Sequence, residues 1–497
     1  MSDRYAHATA LAPEGLSTLM RNRWVEPHWT GVGDTFWYCR DRDDHGREFI
    51  LLDPEDPDHR SALFDHNELA SQLSLVLGSE VDPHQLPVTG YQRDPAGRMR
   101  ITLSDGRTLL AAPEGGFAVE ERRTDVLASS DGRHELFCRE RELWLHDTVT
   151  GEERPLTTGG EPYCAWGALP DNSLVRIPMR RAGKVLPPVF TAFSPSGRIV
   201  VTARLDERAA AEWPFVEYLP ADQARPRLHL IRGTLDDEQR AADPQLAFIN
   251  LETGKDVVIT GSDNLLAGLL STGMDALTWG IDEECVYLFS HSPGNRTAAL
   301  WRIDVATGDR RVVVSETDDP IYEPNTFLYS LPLIRVLPRS NEVIWFSQRD
   351  GWGHLYRYDL ATGRCLNPIT TGHLVVRDLV RVDANRREVL LLAGCGENGH
   401  NPYWRKLYRA SMDGGPPVLL TPEPADHEMP TAVPQFFAVV FGTGSVSPVS
   451  PSGRYVIDHM STVEEPPEIV LRETRGGLVA GVLERTDVTS LLAAGYR

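Results

Sequence analysis

Three side chains that could bind or polarise a ligand fall within the six-residue segment RDGWGH, at Arg349, Asp350 and His354. A guanidinium, a carboxylate and an imidazole at the rim of a binding site could together orient a polar ligand. The same segment also suits a tight structural corner, because Asp and Gly are residues that turns require. In that alternative, Trp352 packs between structural repeats and His354 bonds to neighbouring backbone. Arg349 and His354 are therefore candidate ligand-binding residues with a structural alternative.

Other motifs in the chain predict neither a metal nor a cofactor. The segments ADHEM, ending at Met429, and DHM, at Asp458–Met460, each place His beside Asp, which is typical of a local hydrogen bond. Metal sites need clustered ligands such as H-E-x-x-H, and the sequence contains no such motif. GCGENG (Gly394–Gly399) matches G-x-G-x-x-G, but Pro402 blocks the helix that a nucleotide site requires after it.

Charge and composition exclude several classes of partner. The chain has 497 residues, with 50 basic and 71 acidic side chains and a formal net charge of −21. Nucleic-acid binding needs clustered Lys and Arg, so we expect no nucleic-acid partner. No basic run or long apolar run points to a membrane, and the first residues lack a signal-peptide pattern. Six scattered cysteines predict free thiols in a reducing cytoplasm.

Five segments repeat one pattern of alternating apolar residues, a Gly-containing turn and a second short apolar run. LWRIDVATGDRRVVV, from Leu300, and LYRYDLATGRCLNPIT, from Leu355, are examples. The pattern predicts a β-hairpin in which Gly adopts the positive φ of the turn. The last four turn glycines are 54, 55 and 52 residues apart, at Gly254, Gly308, Gly363 and Gly415.

A second repeated segment, SSDGR or SPSGR, precedes an apolar strand at three places and completes a unit of four short strands. Four strands in about 50 residues is the size of a β-propeller blade. We predict an all-β protein, a β-propeller of eight four-stranded blades, with seven blades also compatible with the length. An N-terminal extension (1–23) would precede one propeller domain (24–497) with an insertion near 206–245. Helical patterns are confined to Ser61–Leu77 and the final TDVTSLLAAGY.

The ordered segments resemble the N-terminal β-propeller of the dipeptidyl peptidase IV branch of the prolyl oligopeptidase family. The resemblance rests on residues 36–53, 193–208, 215–230, 346–359, 407–428 and 450–477, and it covers roughly residues 24–497. In that family an α/β-hydrolase domain with a Ser-Asp-His triad follows the propeller. The nucleophile of such a domain sits in a G-x-S-x-G elbow, and this sequence contains none. We therefore expect no catalytic residue here, the hydrolase being missing or on a separate chain.

The resemblance also implies where a ligand would bind. Aminopeptidases of the family hold the free amine of a peptide with two adjacent glutamates, whereas the corresponding segment here has Arg180 and Arg181 and no glutamate. A positive pair would repel an amine and attract a carboxylate. Glu207, Glu217 and Tyr218 border the insertion, in a region that faces the hydrolase in the family, and are further candidate contacts. Charged residues at strand ends are more often simply solvated.

Three functions are compatible with these features. The first is a non-catalytic propeller that gates and positions peptides for a serine peptidase, with peptidase activity only when paired with a hydrolase. The second is a stand-alone propeller that binds a peptide or small ligand, and the third is a repurposed lyase or isomerase. Expected partners are a peptide or small molecule, a separate hydrolase subunit, or a second copy of the chain.

Overall fold

The computed structural model of the chain describes residues 18–42, 46–93, 97–112, 115–120, 123–171, 185–220, 222–232, 243–260, 273–292, 295–323, 331–397, 399–430 and 446–496. The backbone of these residues forms eight four-stranded antiparallel sheets and one separate two-stranded sheet. The chain is an all-β, eight-bladed β-propeller. The predicted fold class and the larger of the two predicted blade numbers are therefore confirmed.

The first four blades take up the chain as far as residue 260. Blade one contains β1 (His28–Trp29), β2 (Phe36–Asp41), β3 (Arg47–Leu52) and β4 (Arg60–Ala62). Blade two contains β5 (Val88–Arg93), β6 (Met99–Leu103), β7 (Thr108–Ala111) and β8 (Phe117–Glu120). Blade three contains β9 (Leu127–Ala128), β10 (His134–Arg139), β11 (Glu142–Asp147) and β12 (Glu153–Pro155). Blade four is interrupted and contains β13 (Thr191–Phe193), β14 (Ile199–Asp206), β17 (Asp243–Asn250) and β18 (Asp256–Thr260).

The interruption of blade four is a separate hairpin, formed by β15 (Glu212–Glu217) and β16 (Arg227–Arg232). Its two strands pair only with each other among the described strands, from Glu212 opposite Arg232 to Glu217 opposite Arg227. The hairpin lies inside the insertion that the sequence placed at 206–245. Blade four therefore keeps its own four-stranded order around it, because β14 pairs directly with β17.

The last four blades follow without interruption of their strand order. Blade five contains β19 (Leu277–Trp279), β20 (Cys285–His291), β21 (Thr297–Asp304) and β22 (Arg310–Thr317). Blade six contains β23 (Arg335–Leu337), β24 (Glu342–Ser347), β25 (His354–Asp359) and β26 (Cys365–Pro368). Blade seven contains β27 (Val375–Asp383), β28 (Glu388–Gly394), β29 (Lys406–Ser411) and β30 (Val418–Leu419). Blade eight contains β31 (Asp426–Glu428), β32 (Tyr455–Ser461), β33 (Glu468–Glu473) and β34 (Val479–Arg485).

The blades group into two compact units. The first unit contains blades one, two, seven and eight, within residues 1–122, 369–431 and 446–497. The second unit contains blades three to six, within residues 123–368. In the second unit, apolar side chains from neighbouring blades form one core, which includes Val201, Phe248, Leu288, Leu300 and Trp345. All six residues of β24 are buried, as expected for a strand with packed sheets on both faces.

Among the elements whose bounds the structure describes, two α-helices accompany the sheets, α1 (His66–Leu77) and α2 (Thr489–Ala493). The sequence predicted the first from Ser61, but β4 occupies residues 60–62 and α1 begins only after Asp65. The Asp65 carboxylate accepts hydrogen bonds from the first-turn backbone and so fixes the helix start. The side chains of Leu69 and Leu73 are buried on the inner face of α1. Within the described residues, no helix is long and apolar enough to cross a bilayer.

The four repeated turn glycines adopt the conformation that the sequence predicts. Gly254, Gly308, Gly363 and Gly415 have φ angles of 69°, 79°, 70° and 104°, in the region where a side chain is strained. Each joins the third and fourth strands of its blade. The repeated hairpin is therefore one half of a blade.

One of these glycines also has a packing role, which a pair of alanine substitutions should reveal. A Cβ at Gly363 would lie 2.0 Å from the carbonyl oxygen of Val313 in blade five, whereas a Cβ at Gly254 would have no atom within 4 Å. We expect Gly254→Ala to lower the free energy of unfolding by about 1 kcal/mol, because of the positive φ alone. Gly363→Ala should lower it by about 2 kcal/mol, because the new Cβ also clashes with Val313. Equal shifts of the two denaturation midpoints would contradict this.

The SPSGR segments connect neighbouring blades. The backbone N–H and the hydroxyl of Ser196 in blade four both donate to Glu283 in blade five, at 2.6 Å each. Ser452 in blade eight makes the same pair of hydrogen bonds to Asp34 in blade one, with an N–H distance of 3.0 Å. Charge-assisted bonds to a carboxylate are among the stronger protein hydrogen bonds. The repeated motif thus fastens a strand-connecting turn to the next blade.

Within the first unit, blade one packs directly against blade eight. The Val25 N–H donates to Nε2 of His459 at 2.9 Å, and the Tyr38 hydroxyl donates to Glu484 at 2.9 Å. Beneath these bonds lies a shared apolar cluster of ten buried side chains: Val25, Phe36, Tyr38, Ile50, Leu52, Tyr455, Ile457, Ile469, Leu471 and Leu483. The two ends of the repeat series therefore share one core.

Candidate functional site

The structure places the predicted site residues on three elements of the second unit. Arg180 and Arg181 lie outside the described residues. Glu207 follows β14, and Glu217 and Tyr218 lie at the end of β15. Arg349 lies in the turn between β24 and β25, and His354 is the first residue of β25. All five lie where the second strand of a blade passes to the third. They do not converge on one point, and their roles as ligand contacts remain predictions.

Arg349 is held by several partners. Its guanidinium donates to Glu316 at 2.9 Å and to Ser347 at 2.8 Å, and it also bonds to the Tyr358 hydroxyl. The same group lies 4.2 Å above the centre of the Tyr356 ring, which is a cation–π contact. These contacts match the structural alternative for this corner, because the guanidinium stabilises a turn and has limited freedom to meet a ligand.

His354 lies inside the protein. Its side chain is fully buried, and Nε2 is 3.7 Å from the Asp350 carboxylate. Trp352 is half-buried in the same turn, and its backbone N–H donates to Asp350. A buried imidazole cannot meet a ligand at the blade rim without local opening. The geometry of His354 therefore also matches the structural alternative.

Glu217 and Tyr218 lie at the far end of the inserted hairpin. The Glu217 carboxylate is 2.9 Å from Nε2 of His229 on the opposite strand, while the Tyr218 side chain is 74% exposed. The hairpin carries seven exposed large apolar side chains: Trp213, Phe215, Val216, Tyr218, Leu219, Leu228 and Leu230. The contact between Glu217 and His229 stabilises the hairpin itself, and the apolar side chains form an exposed surface.

Glu207 lies in a cleft at the base of the hairpin. The cleft has a volume of about 230 Å³ and is lined by Arg141, Glu161, Pro162, Tyr163, Cys164, Ala165, Ala168, Leu169, Pro170, Leu205 and Glu207. Glu207 is buried, and its carboxylate accepts the backbone N–H of Asp171 at 2.8 Å. Its own N–H donates to the Tyr163 carbonyl. We name this the hairpin-base cleft.

Ion pairs order the rim of the hairpin-base cleft. Arg208 bridges Asp206 at 2.6 Å and Glu161 at 2.9 Å, which joins the segment before blade four to the end of β14. Arg232 lies 4.1 Å above the Tyr163 ring. Tyr163 itself has a φ of 62°, an uncommon conformation for a residue with a side chain. The rim is thus a fixed arrangement of rings and charges.

The described lining of the hairpin-base cleft has groups that can bind a ligand. Burial raises the pKa of the Cys164 thiol, so this sulfur stays protonated at neutral pH and is a poor nucleophile. Among the described residues, no three His, Cys, Asp or Glu side chains are gathered as metal ligands. Carboxylates, a guanidinium and apolar walls remain, and these groups recognise a small polar molecule by charge and shape.

Sequence reasoning missed most residues of this cleft. Glu161, Tyr163 and Cys164 lie in GGEPYCAWG, a segment between blades without strand periodicity, and Arg141 lies in a two-residue turn. The available signal was the insertion itself, because an elaborated loop on a propeller often serves a binding surface.

A second charged cluster, which we name the blade-eight network, lies in the first unit. Asp458 is fully buried, 3.0 Å from Nδ1 of His427 and 3.0 Å from Arg472. Arg472 also contacts Glu423 at 3.0 Å, and the Lys406 ammonium donates to the Glu423 carbonyl. The sequence suggested only local His–Asp bonds, whereas the bond joins the His of one segment to the Asp of the other.

The pKa of Asp458 reflects this network. Burial alone raises the pKa, but the hydrogen bonds and charges of His427 and Arg472 outweigh burial and hold it below its usual value. The carboxylate is therefore ionised at neutral pH although it is inaccessible to solvent. Buried charges of this kind persist only when they are paired.

Two solved structures of similar fold are described as dipeptidyl peptidases. A proposed dipeptidyl aminopeptidase IV from Bacteroides ovatus superposes with a TM-score of 0.65 and 18% identity, covering 96% of this chain and 62% of that one. Porphyromonas gingivalis dipeptidyl peptidase 4 gives a TM-score of 0.59 and 14% identity, covering 96% of this chain and 61% of that one. The chain thus spans less than two thirds of the length of either protein.

The eight four-stranded blades define a β-propeller. Residues 188–467 match the model of the family described as the dipeptidyl peptidase IV (DPP IV) N-terminal region. The chain belongs to this family.

Proposed function

We propose that the chain is the part of a DPP IV-type serine peptidase that admits and positions peptides, while a hydrolase supplies the catalytic triad. The observation that carries this proposal is the family match, which extends over Glu207 and the inserted hairpin. The hairpin-base cleft adds support, because its fixed charges and apolar walls can orient a short chain before reaction.

The proposal includes a partner and a compartment. The partner is a hydrolase subunit or a second copy of this chain, and the apolar surface of the hairpin is suited to such contact. We propose a cytoplasmic location because all six cysteines are free thiols, as is usual in a reducing compartment.

Peptide binding without turnover tests the proposal. We expect calorimetric titration of the purified chain with a proline-containing tetrapeptide to show saturable binding, with no cleavage by chromatography and no labelling by a serine-reactive fluorophosphonate. Turnover or labelling would contradict the non-catalytic role, and the absence of binding by a folded sample would contradict peptide positioning.

Glu207→Gln should weaken that binding about tenfold. The substitution keeps an oxygen that can accept the Asp171 N–H but removes the negative charge, and tenfold corresponds to about 1.4 kcal/mol. Glu464→Gln, at an exposed position of the first unit, is the control and should leave the dissociation constant unchanged. If the Glu207 variant and the unmodified chain bind the peptide with equal affinity, Glu207 is not part of the binding site.

A further inference from the structure

Arg141 lines the hairpin-base cleft and has an unusual backbone conformation. Glu140 and Arg141 form the two-residue turn between β10 and β11, with φ angles of 53° and 71°. Turns of this kind favour Asn and Gly, because a side chain is strained at positive φ. A large charged residue at such a position suggests a role for its side chain.

The structure around Arg141 fixes its backbone. The Trp166 N–H donates to the Arg141 carbonyl at 3.1 Å, and a Cβ at Gly160 would lie 2.3 Å from the same oxygen. Trp166 and Gly160 flank the segment that forms one wall of the cleft. The turn and the wall are therefore packed together, and the backbone of Arg141 is held at the cleft.

Unlike its neighbours, Arg141 has no partner for its charge among the residues that the structure describes. Arg204 bonds to Gln245 and to the Gly159 carbonyl, Arg208 to two carboxylates, and Arg232 to Glu212. Among the residues that the structure describes, none accepts a hydrogen bond or forms an ion pair with the Arg141 guanidinium. Among the described lining residues, Arg141 is therefore the cation that is available to a ligand.

We propose that Arg141 binds the free carboxylate of a short peptide seated in the hairpin-base cleft. The inference rests on the proposed peptide-positioning function and names its ligand class. A guanidinium forms two parallel hydrogen bonds with a carboxylate, which a neutral amide cannot reproduce. Pro162, Ala165, Leu169 and Pro170 supply an apolar wall for the body of the peptide.

The carboxylates of the cleft favour a ligand that carries both charges. The negative charge of Glu161 is neutralised by Arg208, while that of Glu207 is stabilised by a backbone N–H. A ligand with only a carboxylate would be attracted by the positive charge of Arg141 but repelled by the negative charge of Glu207. An unblocked dipeptide has an ammonium group as well, and it is small enough for a cleft of about 230 Å³. Its carboxylate contacts Arg141 and its ammonium group faces the acidic side of the cleft.

The experiment compares alanyl-proline as the free acid with its C-terminal amide, by calorimetric titration of the full chain. We expect the free acid to bind at least tenfold more tightly than the amide. Arg141→Gly should abolish this difference by weakening only the free acid. Gly is well suited to a φ of 71°, so the variant should fold, which the circular dichroism spectrum and the melting temperature would check.

Glu140→Gly is the matched control, because it makes the same change in the same turn and leaves the guanidinium in place. It should retain the tenfold preference. Equal binding of acid and amide by the unmodified chain, or a preference that survives Arg141→Gly, would overturn the carboxylate assignment while leaving peptide positioning intact. Binding of neither dipeptide nor tetrapeptide by the folded chain would overturn both.

Discussion

Asp458→Asn should lower the free energy of unfolding by about 3–5 kcal/mol, because it removes the buried carboxylate that pairs with the Arg472 guanidinium. Arg472 and His427 both contact the Asp458 carboxylate at 3.0 Å, and the side chains of all three are at most 1% exposed. The amide preserves the shape of the site but supplies an N–H where an acceptor is required. Denaturant titration followed by tryptophan fluorescence would measure the shift.

An exposed ion pair in the same unit provides the control. Asp413 lies 2.7 Å from Arg387, with side chains 54% and 34% exposed. Exposed pairs contribute about 1 kcal/mol or less, so Asp413→Asn should change the midpoint little. A loss of similar size at both positions would show that burial of the blade-eight network does not determine its contribution.

The contact between blades one and eight should weaken in acid because of His459. This imidazole is 3% exposed, stacks on Trp24 at 4.0 Å, and accepts the Val25 N–H through Nε2. Burial lowers the pKa of His459 to about 4, despite the opposing charge of Asp458. Only the neutral ring can accept the Val25 N–H. Protonation of Nε2 therefore breaks this hydrogen bond and places two N–H donors opposite each other.

The direction of the pH effect follows from this lowered pKa. An unfolded chain protonates the imidazole near pH 6.5, while the folded chain resists until about pH 4. The contribution of neutral His459 to the free energy of unfolding is thus fully present above pH 6.5. It falls as the pH drops toward 4, by about 3 kcal/mol in total.

Comparison with His459→Gln would isolate this effect. Thermal unfolding between pH 7.5 and 4.5 should show a flatter profile for the variant, because glutamine can accept the Val25 N–H and does not titrate. His28, whose pKa burial also lowers to about 4, titrates in both proteins and cancels in the comparison. Parallel profiles for the two proteins would exclude His459 as the origin of acid sensitivity.

The sequence was sufficient for the blades because their determinants are local. Alternating apolar residues and a glycine at positive φ recur within each unit, and both can be recognised without distant contacts. Even the insertion was visible, because residues 206–245 interrupt the period. The exact start of α1 was less visible, since it depends on Asp65 and on the pairing of β4 with β3.

The sites were harder to predict because their residues meet only after the blades pack. The hairpin-base cleft combines a turn of blade three, an aperiodic linker and the end of β14. The blade-eight network depends on strand register, which brings His427 on β31 beside Asp458 on β32. A one-residue shift in that pairing would separate them, and the sequence alone does not determine the register.

The direct packing of blade one on blade eight has a consequence for synthesis of the chain. The Val25–His459 bond spans 434 residues, so blade one emerges from the ribosome long before its partner exists. At typical elongation rates this interval is roughly 20–90 s. Throughout it, Phe36 and Leu52 expose a face that becomes buried only when the final strands appear. We therefore expect chaperones that shield apolar β-sheet to bind the nascent chain at this early stage.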